Sequence, residues 1–393
     1  MSKVMRAIGL MSGTSMDGID IALLETDGET RVRRLASSSE AYPDDFRARL
    51  RQALADATAI GCREDRPGSL ATVERELTER HAAAVTRFMG DRMLQPSAID
   101  VIGIHGQTVL HREETVAGGT VLDHRLGMAE ERVMPPVTRL LTVQLGDGPL
   151  LARWTGVDVV YDLRANDCAL GGQGAPLVPV YHWALAAKIP ERPVAFVNIG
   201  GVANITWAGP RGRLIAFDTG PGNALIDDWM LRHTGLPRDE GGKLAASGKV
   251  DEGVLRQYLS LPYFRKVPPK SLDRNAFPSD LVTGLSAADG AATLTAFTAE
   301  SIARARELVP EQPALWVVAG GGRRNQTLMR MLAARVENAV VPAEALEYDG
   351  DTMEAEAWAY LAVRSLKALP ITFPETTGVA SPASGGRLAR APN

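Results

Sequence analysis

The sequence predicts an α/β fold of two similarly built lobes whose polar loops converge across a cleft. Three observations carry this. AIGLMSGTSMDGIDIALLETDGE reads as strand, glycine-rich turn, strand. AFVNIGGVANITWAGPRGRLIAFDTGPGN repeats that layout in the second half, with a third strand after a Gly/Pro turn. Each hairpin is followed later by an apolar strand running into a glycine loop, VIGIHGQTV in the first half and ALWVVAGGGRRNQTLMRML in the second. The likeness is one of layout rather than residue identity, as expected when a supersecondary plan is duplicated and each copy must bury an apolar face.

The 393 residues and 45% hydrophobic content suffice for a large core, and a prior of roughly 100–200 residues per domain suggests two. The expected division is 1–135 for the first lobe, joined by part of 368–393, and 136–367 for the second. After the first hairpin, residues 40–89 alternate charged and Ala/Leu/Val positions at a helical period, most clearly in LATVERELTERHAAAVTRFM. Residues 111–139 fit neither period and read as an inserted excursion. LLTVQLGDGPLLARWTG and VDVVYDLRANDCALGGQGAPLVP return to strand and loop. DGDTMEAEAWAYLAVRSLKAL is a helix, with acidic residues early, Arg364 and Lys367 late, and an Ala/Leu/Trp/Tyr face. The tail from Pro370 reads as loop.

Composition excludes several function classes. The net charge is −4 with both signs scattered, which offers neither a nucleic-acid patch nor a basic membrane face. Cys62 and Cys168 are too few for a disulfide framework or a Cys-rich zinc site. Residues 2–9 hold no long apolar run, and no stretch approaches a membrane span, so a cytoplasmic location is expected. GGKLAASGKV has the wrong glycine spacing for a P-loop and Val250 where a hydroxyl must hold Mg²⁺. GGQGAPL puts Leu177 where a dinucleotide fingerprint needs its last glycine.

What the chain has instead is short turns rich in glycine and hydroxyl groups directly after strands. A turn such as SGTSMDG presents successive backbone N–H groups in a concave nest suited to phosphate oxygens, and Thr14 and Ser15 add donors. Asp17 or Asp20 could hold hydrated Mg²⁺, which is bound through one or two carboxylates plus phosphate oxygens. An ordinary hairpin also uses Asp and Gly, but NIGGVAN, DTGPGN and AGGGRRN add three more such turns. His105 and Gln107 in HGQT, with Gln144, Gly146 and Asp147 in QLGDG, are candidates for sugar hydrogen bonds. Lys270 could meet a carboxylate. His111, Glu113 and His124 lack metal-site spacing and read as surface.

GLMSGTSMDGID, HGQT, GGQGAPLVP, NIGGVANIT, DTGPGN and AGGGRRN, in that order, resemble the anhydro-N-acetylmuramic acid kinase family, part of the acetate and sugar kinase, Hsp70 and actin superfamily. The resemblance runs from about residue 8 to about residue 380. It implies a two-lobed actin-like ATPase fold of the ribonuclease H type, with internally duplicated lobes around a central cleft. It also implies ATP and Mg²⁺, a sugar substrate, no nucleic-acid or membrane partner, and a homodimer. The activity implied is phosphorylation of 1,6-anhydro-N-acetylmuramic acid with hydrolytic opening of its anhydro ring. The alternatives are another small-molecule kinase or hydrolase of the superfamily, or an ATP-driven clamp without catalysis. By position, Gly13, Thr14, Ser15, Met16, Asp17, Gly18, Ile19 and Asp20 would form the first phosphate hairpin. Gly200, Gly201 and Asn204, with Asp218 and Gly220, would supply the second lobe's turns, and Gly320, Gly321 and Gly322 would lie under the nucleotide. The family's catalytic aspartate falls on Asp167, with Glu354 a second site residue. His105, Gln107, Thr108, Gln144, Asp147, Gly172 and Gln173 would face the sugar. A carboxylate suits this chemistry, because water must attack an acetal carbon and lose its proton. An Asp before a glycine-rich stretch also commonly caps a turn or helix start, and that reading of Asp167 stands beside the catalytic one.

Overall fold

The computed structural model describes residues 3–13, 16–116, 120–123, 130–133, 137–272 and 276–392. Its strands, in chain order, are β1 (Met5–Met11), β2 (Gly18–Thr26), β3 (Val32–Ala41), β4 (Val101–Ile104), β5 (Gln107–Val116), β6 (Thr120–Asp123), β7 (Glu130–Val133), β8 (Val137–Leu145), β9 (Val159–Tyr161), β10 (Val194–Ile199), β11 (Val202–Ala208), β12 (Leu214–Pro221), β13 (Leu315–Ala319), β14 (Ala339–Pro342) and β15 (Arg387–Ala389). One sheet has the order β15-β9-β4-β1-β2-β3 and the other β12-β11-β10-β13-β14. Counting strands within each sheet from its own first, both read third, second, first, fourth, fifth, and the first sheet adds β15 as a sixth at the far edge. In both, the first three strands are antiparallel and the fourth and fifth run parallel to the first. The expected duplication is therefore present strand for strand, and VIGI and LWVVA occupy the same place in the two sheets.

Both faces of each sheet are covered, which is why the parallel strands read as unbroken apolar runs. On β1, Ala7 faces the middle of the molecule while Ile8 and Leu10 face outward, and on β10 Val194 and Phe196 face the middle while Ala195 and Val197 face outward. The helices Asp44–Asp56 and Leu70–Gly90 cover the outer face of the first sheet through Phe46, Leu50, Leu77 and Val85. Ala287–Ala303 and Gln326–Val336 cover that of the second through Ile302, Leu328 and Leu332. Between the sheets lie the helices Pro179–Ala186 and Met353–Leu366. A single core joins Ala7, Leu24 and Val101 of the first sheet, Tyr181, Tyr360 and Leu361 of these helices, and Phe196 and Val317 of the second sheet.

The helix Met353–Leu366 lies unusually close to the first sheet. A Cβ on Gly9 would fall 1.8 Å from the carbonyl oxygen of Ala355, and one on Gly103 would fall 2.1 Å from that of Trp358. Trp358 Nε1 also donates to Met11 Sδ at 3.2 Å. Two glycines in adjacent strands thus let helix backbone touch sheet backbone, and this sets the helix N-terminus beside the first hairpin.

Two expectations are corrected. The excursion over 111–139 is no loose insertion: β5 pairs with β8, and β6 with β7, as an antiparallel arm. Its alternation is weak because a two-stranded arm need not bury a continuous face; His124 lies outside the described residues. The tail is ordered, with a helical turn at Pro374–Thr377 and β15 paired with β9. Beyond the expected division at 135/136, β9 (Val159–Tyr161) belongs to the first sheet, and Met353–Leu366 packs on β1, β2 and β4.

Replacing Gly9 or Gly103 by Ala is predicted to lower stability by at least about 3 kcal/mol, because neither neighbouring backbone can yield. The Gly90→Ala control, with nothing within 4 Å of its added Cβ, should leave the urea midpoint unchanged or raised.

Candidate active site

The first hairpin turn lies between β1 and β2. Met16 takes a left-handed conformation with φ 55°, its N–H donating to the Gly13 carbonyl at 3.0 Å. The turn is tied down from both sides. Tyr42 N–H donates to the Asp17 carbonyl at 2.8 Å, Tyr42 Oη to Ser12 Oγ at 2.9 Å, and Ser12 Oγ to Gln107 Oε1 at 2.8 Å. Gly18 is required by β3, since a Cβ there would sit 2.3 Å from the Glu40 carbonyl oxygen. Ile19 points into the core. Thr14 and Ser15 lie outside the described residues. Asp20 accepts from Ser39 Oγ at 2.5 Å, yet burial pushes its carboxyl up to about 6, with Asp17, Asp351 and Asp349 adding repulsion.

The second hairpin turn is Gly200–Gly201. The nearest outside atoms to a Cβ on these residues would be 3.7 and 3.8 Å away, so the turn is open to an approaching ligand. Asn223 locks it: its N–H donates to the Gly200 carbonyl at 2.7 Å, and its Nδ2 to the Ile199 and Gly200 carbonyls at 3.1 Å. Gly320, at φ +73°, touches Asn198, and Gly322 touches the Ile199 side chain. Gly321 lies between them, nearest Asn223. The separated motifs NIGGVAN, DTGPGN and AGGGRRN therefore form one contiguous surface. Gly220 stands apart from it, packed on Ser301.

Asn198, Asn204 and Asp218 are cross-strand neighbours on β10, β11 and β12. Asn198 Nδ2 donates to Glu354 Oε1 at 3.0 Å, joining the second sheet to the N-terminus of Met353–Leu366. Burial raises the Glu354 carboxyl, with Arg164 opposing and Asp20 adding to the rise. Burial likewise pushes Asp218 up to about 7, against the Leu272 N–H donated to its Oδ2 at 2.7 Å and the charges of Arg164 and Lys270. Lys270 is buried, with its Nζ 4.6 Å from the Tyr263 ring centroid and 5.6 Å from that of Phe217. Arg164 is the residue that sequence reasoning missed. It acts on Glu354 and Asp218 together, from a position that only folding brings near them.

Asp167 is enclosed by the GGQG turn and the C-terminal segment. It lies in the short helix Ala165–Ala169, is 2% exposed, and both oxygens are engaged: Oδ2 accepts Gly174 N–H at 2.6 Å and Oδ1 accepts Thr377 Oγ1 at 2.6 Å. A Cβ on Gly172 would strike its carboxylate at 2.3 Å, and Gln173 N–H donates to the Thr377 carbonyl at 2.7 Å. This aspartate builds the GGQG turn. Asp147 is likewise structural: it caps the helix Gly148–Thr155 by accepting Leu150 N–H at 2.9 Å, and its own N–H donates to Thr78 Oγ1 at 3.0 Å. The remaining sugar-side candidates stay together. His105 is buried against Trp358, with ring centroids 4.6 Å apart, and burial holds it neutral. Gln107 is held by Ser12, and Gln144 Nε2 donates to Thr142 Oγ1 at 2.7 Å and reaches Thr108 Oγ1 at 3.4 Å.

The duplicated strand order, with a glycine hairpin opening each copy, defines the two-lobed actin-like ATPase class. The family model for anhydro-N-acetylmuramic acid kinase matches residues 5–138 and 132–391, and the chain belongs to that family. Relatives carrying that name include those of Brucella canis (51% identical, covering 98% of this chain and 99% of the relative), Methylobacterium nodulans (50%, 98% and 100%) and Agrobacterium fabrum (49%, 100% and 100%). Among solved structures, similarity extends to a ROK family glucokinase from Streptomyces griseus in complex with glucose and AMPPNP, at 13% identity over 91% of this chain and 98% of that one, TM-score 0.39.

Because Asp147 acts as a cap, Asp147→Ala should cost about 1 kcal/mol of stability while leaving the KM for sugar within twofold. A thermal melt and steady-state kinetics on one preparation check both.

Proposed function

We propose that the protein is an ATP-dependent kinase that phosphorylates 1,6-anhydro-N-acetylmuramic acid while water opens the anhydro ring. The products are N-acetylmuramic acid 6-phosphate and ADP, within peptidoglycan recycling and amino-sugar catabolism. The observation that carries this reading is the placing of Asp218 and Glu354 about Asn198, at the second glycine hairpin and within reach of the Arg164 charge, in a chain of this family. A cytoplasmic homodimer belongs to the same reading. Among the described residues, no helix is long and apolar enough to cross a membrane.

ATP would lie against the N–H groups of residues 13–18 and of Gly200–Gly201, with Gly320–Gly322 beneath it. The acidic wall of Asp17, Asp20, Asp349 and Asp351, whose mutual repulsion helps raise Asp20, fits a divalent cation. Among the described residues no group of three His, Cys, Asp or Glu could hold a metal alone, so Mg²⁺ would be shared between phosphates and Asp20 or Asp17. Bound there, it would neutralise phosphate charge.

The base must have a lone pair free for water. Asp167 accepts one hydrogen bond on each oxygen, from Gly174 and Thr377, and each oxygen keeps a second lone pair; Asp218 accepts one, from Leu272 N–H, and burial pushes it up to about 7, which suits a group that must both accept and return a proton. We assign Asp218 as the base and Asp167 as the residue that positions the GGQG turn. Asp218 takes the proton as water attacks C1, the C1–O6 bond breaks, and O6 attacks the γ-phosphorus. Glu354, oriented by Asn198, assists proton transfer.

Asp218→Asn should reduce kcat at least about 1000-fold with nucleotide affinity retained, and Asp167→Asn should mainly lower the melting temperature. The reverse pattern returns the base to Asp167. Product formed in ¹⁸O-water should carry one label at C1, and unlabelled product rules out hydrolytic opening.

Asp218 also predicts a pH dependence. The acidic limb of kcat/KM should fall near pH 7. Its folded pKa lies above the ordinary aspartate value of 3.8, so between about pH 4 and 7 the folded state retains a proton that the unfolded state has lost. Stability contributed by this group is therefore lost as pH rises through that window. Asp218→Asn should melt higher than the parent at pH 8 and no higher at pH 4.

A further inference from the structure

Most arginines near Arg164 are paired. Arg63 bridges to Asp162 and Arg66 to Glu74. Arg164 is different: among the described residues its guanidinium makes no hydrogen bond and no ion pair, and its Nε is shut from solvent without a partner. The two aspartates nearest in sequence are both committed, Asp162 to Arg63 and Asp167 to Gly174 and Thr377. The Glu354 and Asp218 carboxyls reach Arg164 by charge alone, with no hydrogen bond, so its Nε and the rest of the fork keep donors for an anion entering the cleft.

Its surroundings say which side of the cleft that anion occupies. A Cβ on Gly174 would lie 3.9 Å from Arg164 Cβ and 3.4 Å from His111 Cε1, which puts Arg164 beside the GGQG turn and the β5–β8 arm. His105 and His111 both feel its charge. The nucleotide-side donors are the backbone N–H groups of the hairpin turns, carried by other segments. The planar guanidinium fork matches a carboxylate in two-point geometry.

We propose that Arg164 binds the carboxylate of the lactyl ether on the sugar and so selects muramic-type over glucosamine-type anhydro-sugars. This rests on the kinase reading above and names its specificity residue.

The test compares the parent with Arg164→Gln and Arg164→Lys on 1,6-anhydro-N-acetylmuramic acid and on 1,6-anhydro-N-acetylglucosamine, which lacks the lactyl group. Arg164→Gln should raise the KM for the muramic sugar about 10- to 100-fold. It should leave the KM for the glucosamine sugar and the KM for ATP unchanged, with the change in kcat shared by both sugars because Arg164 also acts on Asp218 and Glu354, and Arg164→Lys should recover part of the loss in KM. Equal rises in KM on both sugars, a raised KM for ATP, or a change confined to kcat and its pH profile would each overturn the proposal, the second by identifying a phosphate as the anion. If the parent turns over neither sugar, the kinase reading fails by itself. Calorimetric binding of the muramic sugar to parent and Arg164→Gln then decides the carboxylate site: weaker binding to the variant supports it, and no difference overturns it.

Discussion

The close contact between the helix Met353–Leu366 and the first sheet is the constraint on which the site depends. Gly9 and Gly103 remove the side chains that would hold helix and sheet apart, and Ala355 and Trp358 use the space with their backbone. With the helix seated this deeply, its first turn reaches the hairpin end of β1 and β2, and Glu354 extends to Asn198 of the other sheet. That bond, worth about 1 kcal/mol, cannot hold the lobes together. The large core shared by both sheets does that, and the Asn198–Glu354 bond sets where the carboxyl points.

The duplication places comparable polar positions on the two hairpins. On the first sheet Met11, Asp20 and Ser39 are cross-strand neighbours; on the second Asn198, Asn204 and Asp218 are. Each row lies near the hairpin end of its sheet. The carboxyls there are partly desolvated, and Asp20, Asp218 and Glu354 all rise. Raised carboxyls weaken the folded state at neutral pH. A protein selected for stability alone would have replaced them, so their retention fits a site whose ligands and reaction use them.

Much of the fold was legible because it rests on pattern. Glycine turns after apolar strands and the Ala-rich helix at 353–366 are local signals, and the layout repeat exposed the duplication. The arm over 111–139 was not legible, since its sequence keeps neither the period of two nor that of 3.6. The integration of the tail was equally hidden, because β15 is three residues long and gains its meaning from β9, over 200 residues earlier. In the site, the second-lobe turns meet as motif order suggested. Asp167 and Asp147 show the limit: an acidic residue before a turn or helix looks the same in sequence whether its oxygens face a cleft or backbone N–H groups.

Arg164 shows the opposite limit. In the sequence it is one basic residue in DLRAND, and its significance appears only when its possible partners are accounted for in space. The tail contributes to that accounting. Thr377, three residues after Pro374, takes one oxygen of Asp167, and Asn166 Nδ2 donates to the Ser384 carbonyl at 2.6 Å. The C-terminal segment thereby occupies the polar groups on the far side of the helix Ala165–Ala169 and pins the residue that precedes it. Asp167 accepts from the turn and from the tail and makes no ion pair with Arg164, which leaves the guanidinium beside the cleft to an anion that enters it.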